Sequence, residues 1–221
     1  SGYLGSIGFS FPAAMGAWGD FNGNLNIEVN EMTMATGIHA AAFGVASQAT
    51  ATNSTAMGVL TRAEGENSVA VGTWVDKNGD GLVDADEMTV ASADHSAAFG
   101  VGSQATDASS TALGVMSIAS GFSSAAVGVN NQALGAGAQA FGIGNIASGV
   151  LSSAFGVVST ASGSESTAFG RVSNASGTRA SAVGYFNTAS GLNSVAMGNI
   201  AQAHNTSSVA VGSWWDKNGD E

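Results

Sequence analysis

The residues best suited to chemistry lie in one acidic segment, DKNGDGLVDADE at residues 76–87. Its pattern, D-x-N-x-D-G-x5-E, is that of an EF-hand calcium loop of about 12 residues. In that reading Asp76, Asn78 and Asp80 supply side-chain oxygens, Leu82 a backbone carbonyl, Asp84 a water-mediated contact and Glu87 two oxygens. Gly81 allows the sharp turn. Hard oxygen donors at this spacing suit Ca2+, the one cofactor expected here; the competing reading is a polar Asp/Asn turn without metal. No helical pattern flanks the segment, so the loop would not be part of a helix–loop–helix.

A related segment lies 56 residues earlier, where Asp20, Asn22, Asn24, Glu28 and Glu31 align with ligand positions and Asn26 with the carbonyl. Leu25 replaces the glycine and Asn24 an acid, so this site is expected to be weaker. A third copy starts at Trp214-Trp215-Asp216-Lys217-Asn218-Gly219-Asp220 and is expected to continue beyond Glu221 in the native chain. Trp18, Trp74 and Trp214 recur at the same phase, which suits a packing base for each insertion better than a ligand contact. His39 and His95 are also equivalent and read as turn residues.

No catalytic residues emerge. The serines recur as a structural set, the carboxylates belong to the acidic segments, and no nucleophile stands beside a base. The protein is therefore not expected to be an enzyme. A net charge of −11 with five Lys and Arg leaves no basic stripe for phosphate, so nucleic acid is not expected as a partner. The absence of Cys removes disulfides and thiol chemistry. No run of about 18 apolar residues occurs, so no membrane contact is expected within this stretch.

The acidic segments interrupt a repeat. The tripeptide Ala-apolar-Gly ends at Gly44, Gly58, Gly72, Gly100, Gly114 and onward to Gly212 in steps of 14 residues, with one step of 28. Counted from the residue after each glycine, the fifth and twelfth positions are Ala, while the third and tenth are mostly Ser, Thr or Asn. The thirteenth is always large and apolar: Phe43, Met57, Val71, Phe99, Leu113, Val127, Phe141, Phe155, Phe169, Val183, Met197 and Val211. Alternation with a period of two marks strands whose successive side chains point to opposite faces. The pattern predicts an all-β fold, a parallel β-solenoid in which each coil is two short strands facing each other across Ala, Ser and Gly. The thirteenth position then points outward, and stacked coils align it into an apolar stripe too long for a monomer to leave wet. The chain reads as one unit over 1–221, with insertions at 17–30 and 73–86 and the start of another at 213–221.

The sequences NSVAVG at 67–72, SSAAVG at 123–128, LNSVAMG at 192–198 and SSVAVG at 207–212, followed by half-coils such as SNASG and NTASG, resemble the YadA-like head repeats of trimeric autotransporter adhesins. The resemblance covers about residues 31–72 and 87–215 and leaves out the acidic insertions. It implies a left-handed β-roll and a homotrimer with the Phe/Val/Met row in its core. It further implies an extracellular, cell-surface location, with anchorage by a segment outside this stretch. Adhesion to a surface, matrix or other cell is the function expected, the receptor being open; the alternative is a trimeric phage tail fibre or self-assembling extracellular filament.

Overall fold

The computed structural model describes residues 12–18 and 31–213. All regular structure among them is β: long strands of five residues alternate with short strands of two or three, from Ala13–Ala17 to Val209–Ser213. The long strands form one parallel sheet of 13 strands and the short ones a second of 12. Within each sheet every strand but the two at the ends pairs with the equivalent strands of the coils before and after it. The register is fixed by composition, so that Ala112 faces Ala98 on one side and Ala126 on the other.

The inner faces carry the small residues. The alanines at the fifth and twelfth positions, Ala105 and Ala112 through Ala189 and Ala196, are wholly buried and form one continuous core. Side chains this small let the two sheets lie close enough to leave no lumen for larger groups. The glycine at the fourth residue of the long strand lies against the next coil: at Gly156, with φ 116°, an added Cβ would come within 1.9 Å of the Gly170 carbonyl oxygen one coil on. The side chain at the third position satisfies the glycine carbonyl. Ser103 Oγ donates to Gly114 O at 2.9 Å, and Asn145 Nδ2 donates to Gly156 O at 2.7 Å.

Each coil turns at two corners, its second and ninth positions, and both take left-handed backbone conformations. Non-glycine residues occupy most of them, including Val158 (φ 55°), Val172 (φ 54°) and Ile200 (φ 57°). Left-handed backbone costs an L-residue about 1–2 kcal/mol, and the coil-to-coil hydrogen bonds hold these residues there. The Val158 amide, for example, donates to Ile143 O at 2.8 Å.

The sheets continue across the acidic segment without a break. Val69–Thr73 pairs directly with Ala97–Val101, and Thr61–Ala63 with Thr89–Ala91. Residues 74–87 leave the solenoid and return with Val75 N bonded to Glu87 O at 3.0 Å. Thr89 Oγ1 bridges the carbonyls of Thr73 and Gly100, at 2.8 and 2.9 Å. Thr33 bridges Ala17 and Gly44 in the same way, so the first excursion rejoins the solenoid by the same device.

Candidate functional site: the outward face and the acidic loop

Because the long strand alternates, its first, third and fifth residues point away from the lumen. The third is the large apolar position expected from the sequence, and the structure aligns it along the sheet. Phe43, Val71, Phe99, Val127, Phe141, Phe155 and Val183 are half-buried, while Met57, Leu113, Phe169, Met197 and Val211 are exposed, Val211 at 70%. Neighbouring rings stack, Phe141 on Phe155 with centroids 5.2 Å apart.

The face is wider than the sequence reading made it. The fifth strand residue, just past the glycine, adds a further column containing Val45, Val59, Val101, Val115, Val129, Ile143 and Val157. Period-two alternation carried through the glycine would have revealed it. Farther along, this column becomes polar and aromatic, with Arg171 5.6 Å from the Tyr185 ring and Tyr185 edge-on to Phe186.

In the acidic loop the side chains are tied mainly to the loop's own backbone. Asp76 Oδ1 accepts from Gly79 N at 2.6 Å, and Oδ2 from Gly81 N at 3.1 Å. Asp80 Oδ1 accepts from Leu82 N at 2.8 Å. Asn78 Nδ2 donates to Asp80 Oδ2 and Asp84 Oδ2, each at 3.0 Å, so those two carboxylates flank one amide. Glu87, 1% exposed, accepts from Lys77 N at 2.7 Å and, through its other oxygen, from Asp84 N at 3.1 Å. The donor set is all oxygen, the kind calcium takes, and Asn78 sits where it could turn its own oxygen toward the same two acids. Among the described residues, no three His, Cys, Asp or Glu side chains are gathered as a metal-holding group. Of the earlier segment, Asp20, Asn22, Asn24, Asn26 and Glu28 lie outside the described residues, as does the third copy from Trp214. Glu31 is described and, like Glu87, is 1% exposed.

The loop is closed on its outer side by an exposed ion pair, Lys77 Nζ to Asp86 Oδ2 at 2.8 Å. The hydrogen bond from Lys77, and then its charge, holds the Asp86 carboxyl below its ordinary range. The same bond and charge raise Lys77. On its inner side Trp74 packs with Val83 against a buried cluster of Ala46, Leu60 and Met88, the packing role expected of that tryptophan. His39 and His95 both occupy left-handed corners. They end a surface ladder in which His39 Nδ1 lies 2.9 Å from Asn53 Oδ1, Asn53 Nδ2 donates to Asn67 Oδ1 at 3.0 Å, and Asn67 Nδ2 is 3.5 Å from His95 Nε2.

A lumen filled by Ala and Ser, strands paired in unbroken register and a broad apolar outer face define a parallel β-solenoid repeat protein. Within that class the chain belongs to the family of the YadA head domain repeat, a family of structural adhesins. The family's two-copy repeat matches residues 35–59, 49–73, 91–115, 147–173, 161–187, 175–199 and 189–213, together more than half of the chain. No curated protein matches the chain. None of the described residues forms a helix long and apolar enough to cross a membrane.

Proposed function

We propose that this chain is a head segment of a trimeric cell-surface adhesin, three solenoids packing through their long-strand faces to present an elongated rod that attaches the cell to a surface, matrix or other cell. The observation that carries the reading is the outward apolar row: Phe141, Phe155 and Phe169 stand in register on adjacent strands beside Ile143 and Val157. A monomer typically exposes apolar patches of only a few hundred Å2, and membership of an adhesin family of trimeric heads supplies the number of chains. Light scattering of the wild-type chain should give three times the monomer mass. Replacing both Phe141 and Phe155 with Asp should dissociate the assembly. A monomeric wild type, or a double variant that stays trimeric, overturns the proposal.

The same reading assigns a structural calcium ion to the loop, held by Asp76, Asn78, Asp80, Asp84, Glu87 and the Leu82 carbonyl. Calcium would neutralise the crowded carboxylates and fix the insertion on the coil that follows it. Sites with dissociation constants of about 10⁻⁴–10⁻³ M serve extracellular modules, and binding to the folded state alone adds stability by mass action. Calorimetry should show calcium uptake in that range, with residues 74–87 becoming protease-resistant. Asp80→Asn, which spares the backbone bonds of Glu87, should weaken binding. Glu31→Gln, in the first segment, should reduce total calcium uptake less than Asp80→Asn, because that segment has Asn24 in place of an acid. Failure to bind calcium at millimolar concentration would leave the insertion as a plain acidic loop without touching the trimer.

A further inference from the structure

The insertion leans over the solenoid corner and treats its two sides differently. On the upstream side Trp74 and Val83 cover Leu60, which is 3% exposed. On the downstream side Met116 holds the coil position equivalent to Leu60, and there a groove of about 220 Å3 remains. Met116 and Ile118 contribute its apolar surface, Asn130 and Gln132 stand one coil farther on, and the Lys77–Asp86 pair overhangs it from the insertion.

We propose that this groove binds one neutral sugar ring, such as a hexopyranose unit of a surface glycan. Charge selects against ions, since the lining holds one cation and one anion and these neutralise each other at 2.8 Å. Hydrogen-bonding capacity then selects among neutral ligands. Among the described residues, the side-chain amides of Asn130 and Gln132 make no hydrogen bond. Each offers both donors and an acceptor, which matches hydroxyls that donate and accept. The apolar pair Met116 and Ile118 can take the C–H face of a ring. A peptide strand would need unpaired backbone groups, but the amides lining the groove are used between coils: Met116 N to Val101 O and Ile118 N to Asn131 O, both 2.8 Å, and Gln132 N to Asn145 O, also 2.8 Å. The site lies at the second and fourth coil positions, around the corner from the outward row. It therefore lies off the outward row proposed to pack in the trimer, while its Lys77–Asp86 wall belongs to the insertion.

Saturation-transfer NMR on the whole chain with methyl glycosides of glucose, galactose, mannose and N-acetylglucosamine tests the assignment. At least one should receive transfer at its ring C–H protons. Combining Asn130→Ala with Gln132→Ala should raise its Kd about tenfold or more, each lost hydrogen bond being worth about 1 kcal/mol. Gln202→Ala, at the position of Gln132 in a distant coil, should change nothing. Met116→Trp, which fills the groove without removing an amide, should abolish transfer and serves as the second variant should the amide double variant misfold. No transfer to any of the four glycosides, or transfer unaltered by both variants, overturns the proposal. Transfer to an uncharged Gly-Ser-Ala peptide that Met116→Trp removes, with none to the sugars, would reassign the groove to a peptide and overturn it equally.

Discussion

Serines at the tenth coil position differ in whether the hydroxyl finds a partner. Ser54 Oγ donates to Ala51 O at 2.7 Å and Ser208 Oγ to Asn205 O at 2.7 Å, each to the carbonyl three residues back. Ser68, Ser152, Ser166 and Ser194 have buried hydroxyls with no partner, and in those coils the residue three back is Gly65, Gly149, Gly163 or Gly191. Alanine already fills this position at Ala138 and Ala180. Ser166→Ala should therefore leave the melting temperature unchanged or raise it, since an unsatisfied buried hydroxyl carries a desolvation penalty of about 1–3 kcal/mol. Ser54→Ala should lower it, a bonded hydroxyl being worth about 1 kcal/mol. The opposite ranking in thermal melts would show that the hydroxyl of Ser166 is satisfied in the assembled protein. The sequence marked both serines as inward and small, but whether a hydroxyl finds a carbonyl depends on the local path of the turn. Composition does not report that path. Nor did it report that the corners would place Val158 and Ile200 in left-handed backbone, because β-branched residues rarely signal such a turn.

At the scale of elements the repeat was legible because a 14-residue period with invariant Ala and Gly admits only a coil with the small residues inside. The acidic insertion was legible in phase for the same reason. Thr89 and Ala91 resume the pattern, and in the structure Thr89 ties the returning chain to Thr73. What the loop packs on was not legible, since Leu60 and Met116 have the same coil position and differ only in whether the insertion covers them. Deleting residues 73–86 should join Gly72 to Glu87 in register. The shortened chain is expected to keep its β-rich circular dichroism spectrum, because the flanking strands already pair with each other. It should lose stability only near the cluster of Ala46, Leu60 and Met88 that the deletion uncovers, read as faster hydrogen exchange in the coils from 45 to 72 and unchanged exchange beyond residue 115. Unfolding of the whole chain instead would mean that the insertion nucleates the register that it interrupts.

The whole molecule is close to one-dimensional, since each coil bonds only to its two neighbours. Stability is then a sum of coil-to-coil interfaces, which the stacked Phe141 and Phe155 rings extend to the outer face. The inter-strand hydrogen bonds all run along the solenoid axis, because the strands lie across it. A pull on the two ends therefore loads these bonds lengthwise and one coil at a time, as in peeling. Each coil occupies about 4.8 Å of the rod, the spacing of adjacent strands. The same 14 residues drawn straight reach about 48 Å. A tethered chain of this design would thus be a compliant spring in reserve: every coil surrendered under tension lengthens the link about tenfold locally, and the coils left behind keep their pairing.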